Sequence, residues 1–166
     1  MIKLIATDID GTLVKESTSV IYPEMLEAIR KWTDMGNYFC VASGRQYYSI
    51  RHMFEAVSDR IIYLAENGAH VRYQDRDILV QKMERNYVEQ IMHQLRGYYD
   101  TCDVVVSSTQ GSLLETKNEK FLKFFADGYH NKYRLVEDVL AEGLDIMKIA
   151  IYQENSIREI GEQVLI

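Results

Sequence analysis

Short apolar runs separated by segments of helical period constrain this chain more than any other feature of its 166 residues. Ile2 to Ile9 is apolar and gives way to acidic and glycine residues, the pattern of a strand buried in a parallel sheet. Pro23 opens a segment in which Met25, Ala28, Ile29 and Trp32 recur at helical spacing, and Gly36 stands where a helix-ending glycine is expected. Tyr38 to Ala42 reads as a second buried strand, Gln46 to Val57 as a second helix and Ile61 to Ala65 as a third strand. Strand, helix, strand, helix, strand in this order predicts an α/β fold with a Rossmann-like parallel sheet covered by helices.

Beyond Asn67-Gly68 the pattern changes. Val71 to Tyr73 and Ile78 to Val80 flank Asp75-Arg76-Asp77 as a hairpin. Asn86, with Glu89 three residues later, makes a variant capping box for a helix carrying Val88, Ile91, Met92 and Leu95 on one face. Cys102 to Ser107 and Ser112 to Thr116 read as strands joined through Gly111. Asn118 to Tyr129 reads as a Phe-rich helix, Ile146 to Tyr152 as a strand, and Ser156 as the start of a last helix. The expected division is a first domain of residues 1–81, holding the parallel strands and the hairpin, and a second α/β domain of residues 82–166.

A formal net charge of −6 makes the overall field repel polyanions. The densest basic stretch, Lys117, Lys120 and Lys123, is interleaved with Glu115 and Glu119 as a solvated helix face, so no nucleic-acid partner is expected. Two cysteines, Cys40 and Cys102, do not make a disulfide scaffold and fit a reducing, cytoplasmic setting. No apolar run approaches the ~20 residues of a membrane helix. The first residues enter a strand and not a signal peptide, so no membrane partner is expected either. His52, His70, His93 and His130 are scattered and read as structural or surface residues, and Lys148 as a solvated strand position.

The chemistry-bearing residues stand at predicted strand ends. Thr7-Asp8-Ile9-Asp10-Gly11-Thr12-Leu13 closes the first strand, and residues two apart on a strand point the same way, so Asp8 and Asp10 can address one site. Gly11 permits a tight turn whose N–H groups can face an anion, at the edge where open α/β sheets take ligands. Two carboxylates there can divide the work of nucleophile and proton carrier. A calcium loop does not fit: it needs Gly at its sixth place and Glu at its twelfth, where, counting from Asp8, Leu13 and Ser19 stand. Val41-Ala42-Ser43-Gly44-Arg45 closes the second strand with a hydroxyl, a glycine and a helix start, a ready phosphate site to which Arg45 adds a charge-assisted contact. Glu66-Asn67-Gly68-Ala69 closes the third and brings the Asn67 amide to the same edge.

Together these three motifs resemble the haloacid dehalogenase superfamily, in particular its Cof-type phosphatases. Those carry Asp-x-Asp-Gly-Thr, Thr/Ser-Gly-Arg and Asn-Gly-Ala in this order, with an α/β cap domain inserted after the third strand. The resemblance implies that family's fold, with residues 82–166 as the cap, and hydrolysis of small phosphorylated metabolites such as sugar phosphates. It also implies that Asp8 is the nucleophile that becomes an aspartyl-phosphate. Asp10 is then the acid that protonates the leaving alcohol and later activates water. Ser43 hydrogen-bonds the phosphoryl group, and Gly11, Thr12, Gly44, Arg45 and Asn67 complete the phosphate- and substrate-binding set. Mg²⁺ is the implied cofactor, held by the Asp8 side chain and the Asp10 main-chain carbonyl.

The family pattern continues past the cap with a lysine and a Gly-Asp-x-x-Asn-Asp stretch, and these 166 residues match neither. An incomplete fold is therefore expected. Its first strand, central in the superfamily, is left as an exposed apolar edge through which the chain self-associates. Two other readings stay open: an impaired fragment or pseudoenzyme that binds phosphate or metal, and a phosphotransferase of the sugar-phosphate mutase type.

Overall fold

The computed structural model describes residues 2–15, 19–154 and 156–164. Its first sheet takes β1 (Leu4–Asp8), β2 (Tyr38–Ala42), β3 (Ile62–Ala65), β4 (His70–Tyr73) and β5 (Arg76–Val80) in that spatial order. β1, β2 and β3 are parallel, with Asp8 opposite Ala42 and Ala42 opposite Leu64, so their carboxyl ends share one edge. The crossovers are α1 (Pro23–Asp34) and α2 (Tyr47–Met53). Pro23 sits in the first turn of α1, where its missing N–H costs nothing. Gly36, at φ 74°, turns the chain after the helix, and the Trp32 indole donates to the Tyr38 carbonyl at 2.8 Å to tie that turn to β2.

β2 is the buried centre, with Phe39, Cys40 and Val41 covered. β1 is not the buried strand its composition alone suggests but the exposed apolar edge expected of an incomplete fold: among the described strands it pairs with β2 only, and Leu4 and Ile5 are 52% and 38% exposed. Ile9, just beyond it, is wholly buried and belongs to the core with Val41, Ile50, Phe54 and Ile61. The β4–β5 hairpin turns on Gln74 and Asp75, both at positive φ, and not over the expected 75–77. Two left-handed residues in succession give the turn that matches strand twist.

A second sheet follows, in the order β8 (Tyr133–Leu135), β7 (Gly111–Leu114), β6 (Asp103–Ser108), β9 (Ile146–Tyr152). On it lies α3 (Arg85–Leu95), whose Val88, Met92 and Leu95 join Val104, Val106 and Leu113 in a second core. The helix begins at Arg85 with Glu84 before it, so Asn86 is inside the helix and the expected capping box does not form. The Phe-rich segment divides into α4 (Glu119–Lys123), capped by the Asn118 side chain, and a π-helical turn over Phe124–Gly128. β8 has three residues, too few to show an alternation, and was not anticipated. α5 (Arg158–Val164) is the last element, and the Arg158 N–H donates to Ser156 Oγ at its start. Cys40 and Cys102 are buried free thiols, and burial raises both above the usual thiol range. No helix among the described residues is long and apolar enough to cross a membrane.

Candidate active site

The carboxyl edge of β1–β3 is built by backbone hydrogen bonds before any side chain acts. The Ile9 carbonyl accepts from the N–H groups of Thr12, Leu13 and Val14 (3.2, 2.9 and 3.1 Å), and Gly11 N–H donates to the Val14 carbonyl at 2.8 Å. This knot needs the left-handed φ of 75° that glycine supplies at position 11. The Gly11 and Thr12 amides are therefore engaged inside the turn and do not face outward as an anion cradle. Asp8 ends β1 in an exposed position, one residue short of the level of Ser43.

The second and third motifs interlock. Ser43 N–H donates to the Leu64 carbonyl, Glu66 N–H to the Arg45 carbonyl and Asn67 N–H to the Ser43 carbonyl, at 2.9–3.1 Å. Ser43 Oγ accepts from Arg45 N–H at 3.2 Å, a local turn that buries the hydroxyl. Glu66 and Asn67 both have left-handed backbones, with φ 53° and 58°. Such residues cost about 1–3 kcal/mol each and persist where surrounding bonds over-determine them. A Cβ on Gly44 would lie 2.5 Å from Asn67 Oδ1, so the Asn67 side chain occupies the space that glycine leaves.

Asp10 meets Arg45 directly: Nε donates to Oδ2 at 2.9 Å and Nη2 to Oδ1 at 2.6 Å. The guanidinium is 5% exposed; it also reaches Ser19 Oγ at 3.2 Å and lies 4.9 Å from the centre of the Tyr129 ring. The expected role of Arg45 was a phosphate contact, and its fork is aimed at the second aspartate instead.

Two residues without a site role in the sequence reading join the two sheets here. Lys148, on β9, was read as solvated. Its Nζ donates to the Gly44 carbonyl at 2.8 Å and pairs with the Glu66 carboxylate, which is 2% exposed. Gln46 donates to Ser112 Oγ (2.8 Å) and the Lys132 carbonyl (2.9 Å) and accepts from Lys132 N–H (2.7 Å). Alternation along β9 puts Lys148 opposite in direction to Met147 and Ile149, a signal that it leaves the second core, though not where it goes. The histidines are structural or surface as expected: His70 is buried against Asp77 at 2.7 Å, and the exposed His52 and His130 rings pair at 4.0 Å.

Between the sheets lies a cavity of about 400 Å³ whose lining includes Asp10, Gly44, Arg45, Glu66 and Lys148. Across from these stand Phe124 and Tyr129. A larger hollow of about 930 Å³ lies by Asp103, Asn118 and Tyr152 and includes none of the motif residues. Its buried Asp103 accepts hydrogen bonds from Thr116 and Asn118 and needs no further partner. The smaller cavity is therefore the candidate site.

Asp8 and the Asp10 carbonyl are hard oxygen donors. Among the described residues no three His, Cys, Asp or Glu side chains gather as a metal cluster. That pair fits Mg²⁺, which keeps waters and takes one or two carboxylates with phosphate oxygens, better than a metal that needs an all-protein cage.

Residues 5–165 match the family model for haloacid dehalogenase-like hydrolases. The chain is 23% identical over 137 residues to a 5-amino-6-(5-phospho-D-ribitylamino)uracil phosphatase of Escherichia coli, covering 82% of this chain and 50% of that protein. It is 30% identical over 100 residues to a Bacillus subtilis phosphatase of the same description, covering 60% and 40%. It thus spans about half the length of these curated relatives. A crystal structure from Eubacterium rectale superposes with a TM-score of 0.83 at 29% identity, covering 98% of this chain and 62% of that one. A family match from residue 5 to residue 165, on a fold shared with that structure, makes this chain a member of the haloacid dehalogenase-like hydrolases.

Proposed function

We propose that the chain carries the first catalytic motifs and the cap of a Mg²⁺-dependent phosphomonoester hydrolase for small organic phosphates, working in the cytoplasm. Residues 1–81 are the core part and residues 82–166 the cap. Asp8 attacks phosphorus, the bond to the leaving alkoxide breaks, and Asp10 protonates that oxygen. Water then attacks the aspartyl-phosphate, gives its proton to Asp10, and leaves Asp8 restored and inorganic phosphate free. Ser43 and Asn67 orient the phosphoryl group. Mg²⁺, when bound by the Asp8 carboxylate and the Asp10 carbonyl, offsets phosphate charge so that an anionic nucleophile can approach.

The observation that carries this reading is the Asp10–Arg45 pair at the cavity wall, beside parallel strand ends that bear Asp8 and Ser43. Arg45 donates to both Asp10 oxygens, so a proton moved by Asp10 uses the second lone pair that each oxygen keeps or displaces one guanidinium contact. Release of phosphate from 4-nitrophenyl phosphate with Mg²⁺, lost in Asp8→Asn, is the expected result; equal turnover by the variant would end the assignment. The same engagement of Asp10, and of the Gly11 and Thr12 amides, favours a second reading in which the chain binds phosphate without turning it over. Phosphate binding with no release under those conditions would select it.

A further inference from the structure

Directly opposite residues on neighbouring strands share a face of their sheet, and one such row crosses the second sheet where it meets the first domain. Ser107 on β6 stands opposite Ser112 on β7 and Lys148 on β9. The outer two are tied to the chain just after β2. Ser112 Oγ accepts from Gln46 at 2.8 Å, and Lys148 Nζ donates to the Gly44 carbonyl at 2.8 Å. Both point towards the first domain, and Ser107 between them does the same. It lines the cavity, is 2% exposed, and its hydroxyl makes no hydrogen bond among the described residues. The register of β6 against β9 shifts immediately after Ser107, an irregularity of the kind that re-aims side chains beside active sites.

The other polar side chains of the cavity wall have a partner or reach water. Asp10 and Arg45 hold each other, Gln46 holds Ser112, and Lys148 holds Glu66. The Asn131 amide and the Tyr129 and Tyr152 phenols make no hydrogen bond among the described residues, but all three are half-buried. Ser107 alone in this wall combines full burial with a hydroxyl that no described residue satisfies. Such a hydroxyl costs folding free energy that a methyl group in its place would not. A ligand atom that hydrogen-bonds it removes the cost on binding, and a site built this way rejects an analogue lacking that atom. Two residues along β6, Val105 stands opposite Ala150, and the wall there is carbon only. The place for a polar ligand atom is therefore the Ser107 level, which Lys148 ties to Gly44 at the phosphate end of the cavity.

We infer that Ser107 is a specificity-determining residue of the second domain: its hydroxyl hydrogen-bonds the group esterified to the phosphate, close to the ester oxygen, and selects compounds with a hydrogen-bonding atom there. This rests on the phosphatase reading for the phosphate end and adds the residue that reads the other end. The test is calorimetric binding to the whole chain, with Mg²⁺, of propyl phosphate, 2-hydroxypropyl phosphate, 3-hydroxypropyl phosphate and inorganic phosphate, joined to denaturant unfolding of the free chain. One of the two hydroxylated compounds is expected to bind roughly three- to tenfold tighter than propyl phosphate, the scale of one hydrogen bond. That ratio should fall to about one in Ser107→Ala and persist in Asn131→Ala. The denaturation midpoint of Ser107→Ala should equal or exceed that of the wild type, whereas Ser112→Ala, which breaks the bond to Gln46, should lower it. A ratio that survives Ser107→Ala, or a midpoint lowered as far as in Ser112→Ala, overturns the inference, the second by making the hydroxyl structural. Inorganic phosphate bound with a ratio of one in the wild type overturns it too and leaves the phosphatase reading standing. Failure of inorganic phosphate to bind removes the phosphate site itself and the inference with it.

Discussion

The Arg45 guanidinium grips both carboxylate oxygens of Asp10, 35 residues earlier in the chain, through Nε at 2.9 Å and Nη2 at 2.6 Å. A lysine in place of Arg45 keeps the charge and loses the fork. Arg45→Lys should lower stability to chemical denaturation by about 1–2 kcal/mol, the scale of one charge-assisted hydrogen bond with a half-exposed partner. An unchanged denaturation midpoint would mean that the pair is not formed in solution.

Gly44 and Asn67 share one space. Gly44→Ala should push the Asn67 side chain aside, seen as shifted Asn67 side-chain amide resonances, and weaken phosphate binding. In an Asn67→Ala background the same change should cost markedly less, because the clash at 2.5 Å is gone. Additive effects would place the clash elsewhere.

Lys148 supplies the counter-charge of a carboxylate whose oxygens have no hydrogen-bond donor besides this ammonium among the described residues. Lys148→Met should therefore destabilise by about 3–5 kcal/mol, the cost of stranding a buried charge. Adding Glu66→Gln should recover part of that loss. A double variant as unstable as the sum of both single changes would argue against the pair.

Burial pushes Glu115 up, but hydrogen bonds from Arg96, the Val139 N–H and the Tyr99 hydroxyl outweigh it and hold the carboxyl below its ordinary 4.5. A depressed folded value means stability that is complete above pH 4.5 and is lost as the pH falls through the folded value. Thermal melts should show a steeper acid decline below that point in the wild type than in Glu115→Gln, which should be less stable at pH 7. Parallel acid limbs would contradict this.

The exposed Leu4 and Ile5 lie on a strand that pairs on one side only among the described residues, which predicts association that grows with concentration. Light scattering should show it, and Ile5→Lys should reduce it. A monomer at all concentrations would count against pairing through β1.

How far the sequence could be read depended on whether a signal was local. The β2 strand and the β9 strand were legible to the residue, because β2 is a compact apolar run and β9 alternates Met147, Ile149 and Ile151 on one face. The short β8, paired to β7 across α4 and the π-helical turn, has no periodicity of its own. At the candidate site, Asp8, Asp10, Ser43 and Asn67 stood out by motif. Lys148 and Gln46 did not, since their meaning lies in partners 82 and more residues away in one case and 66 and 86 in the other. Phe124 was visible as part of a Phe-rich helix, but its direction depends on a π turn that periodicity does not announce.

The tripeptide 44–46 also serves two masters. Its middle residue clasps Asp10, while its flanking residues bind the upper sheet through the Gly44 carbonyl and the Gln46 amide. Any parting of the two layers that admits a ligand must tug on that strip, so entry and the readiness of the second aspartate are mechanically joined. A molecule that wedges the layers apart would loosen the clasp without ever touching Asp10.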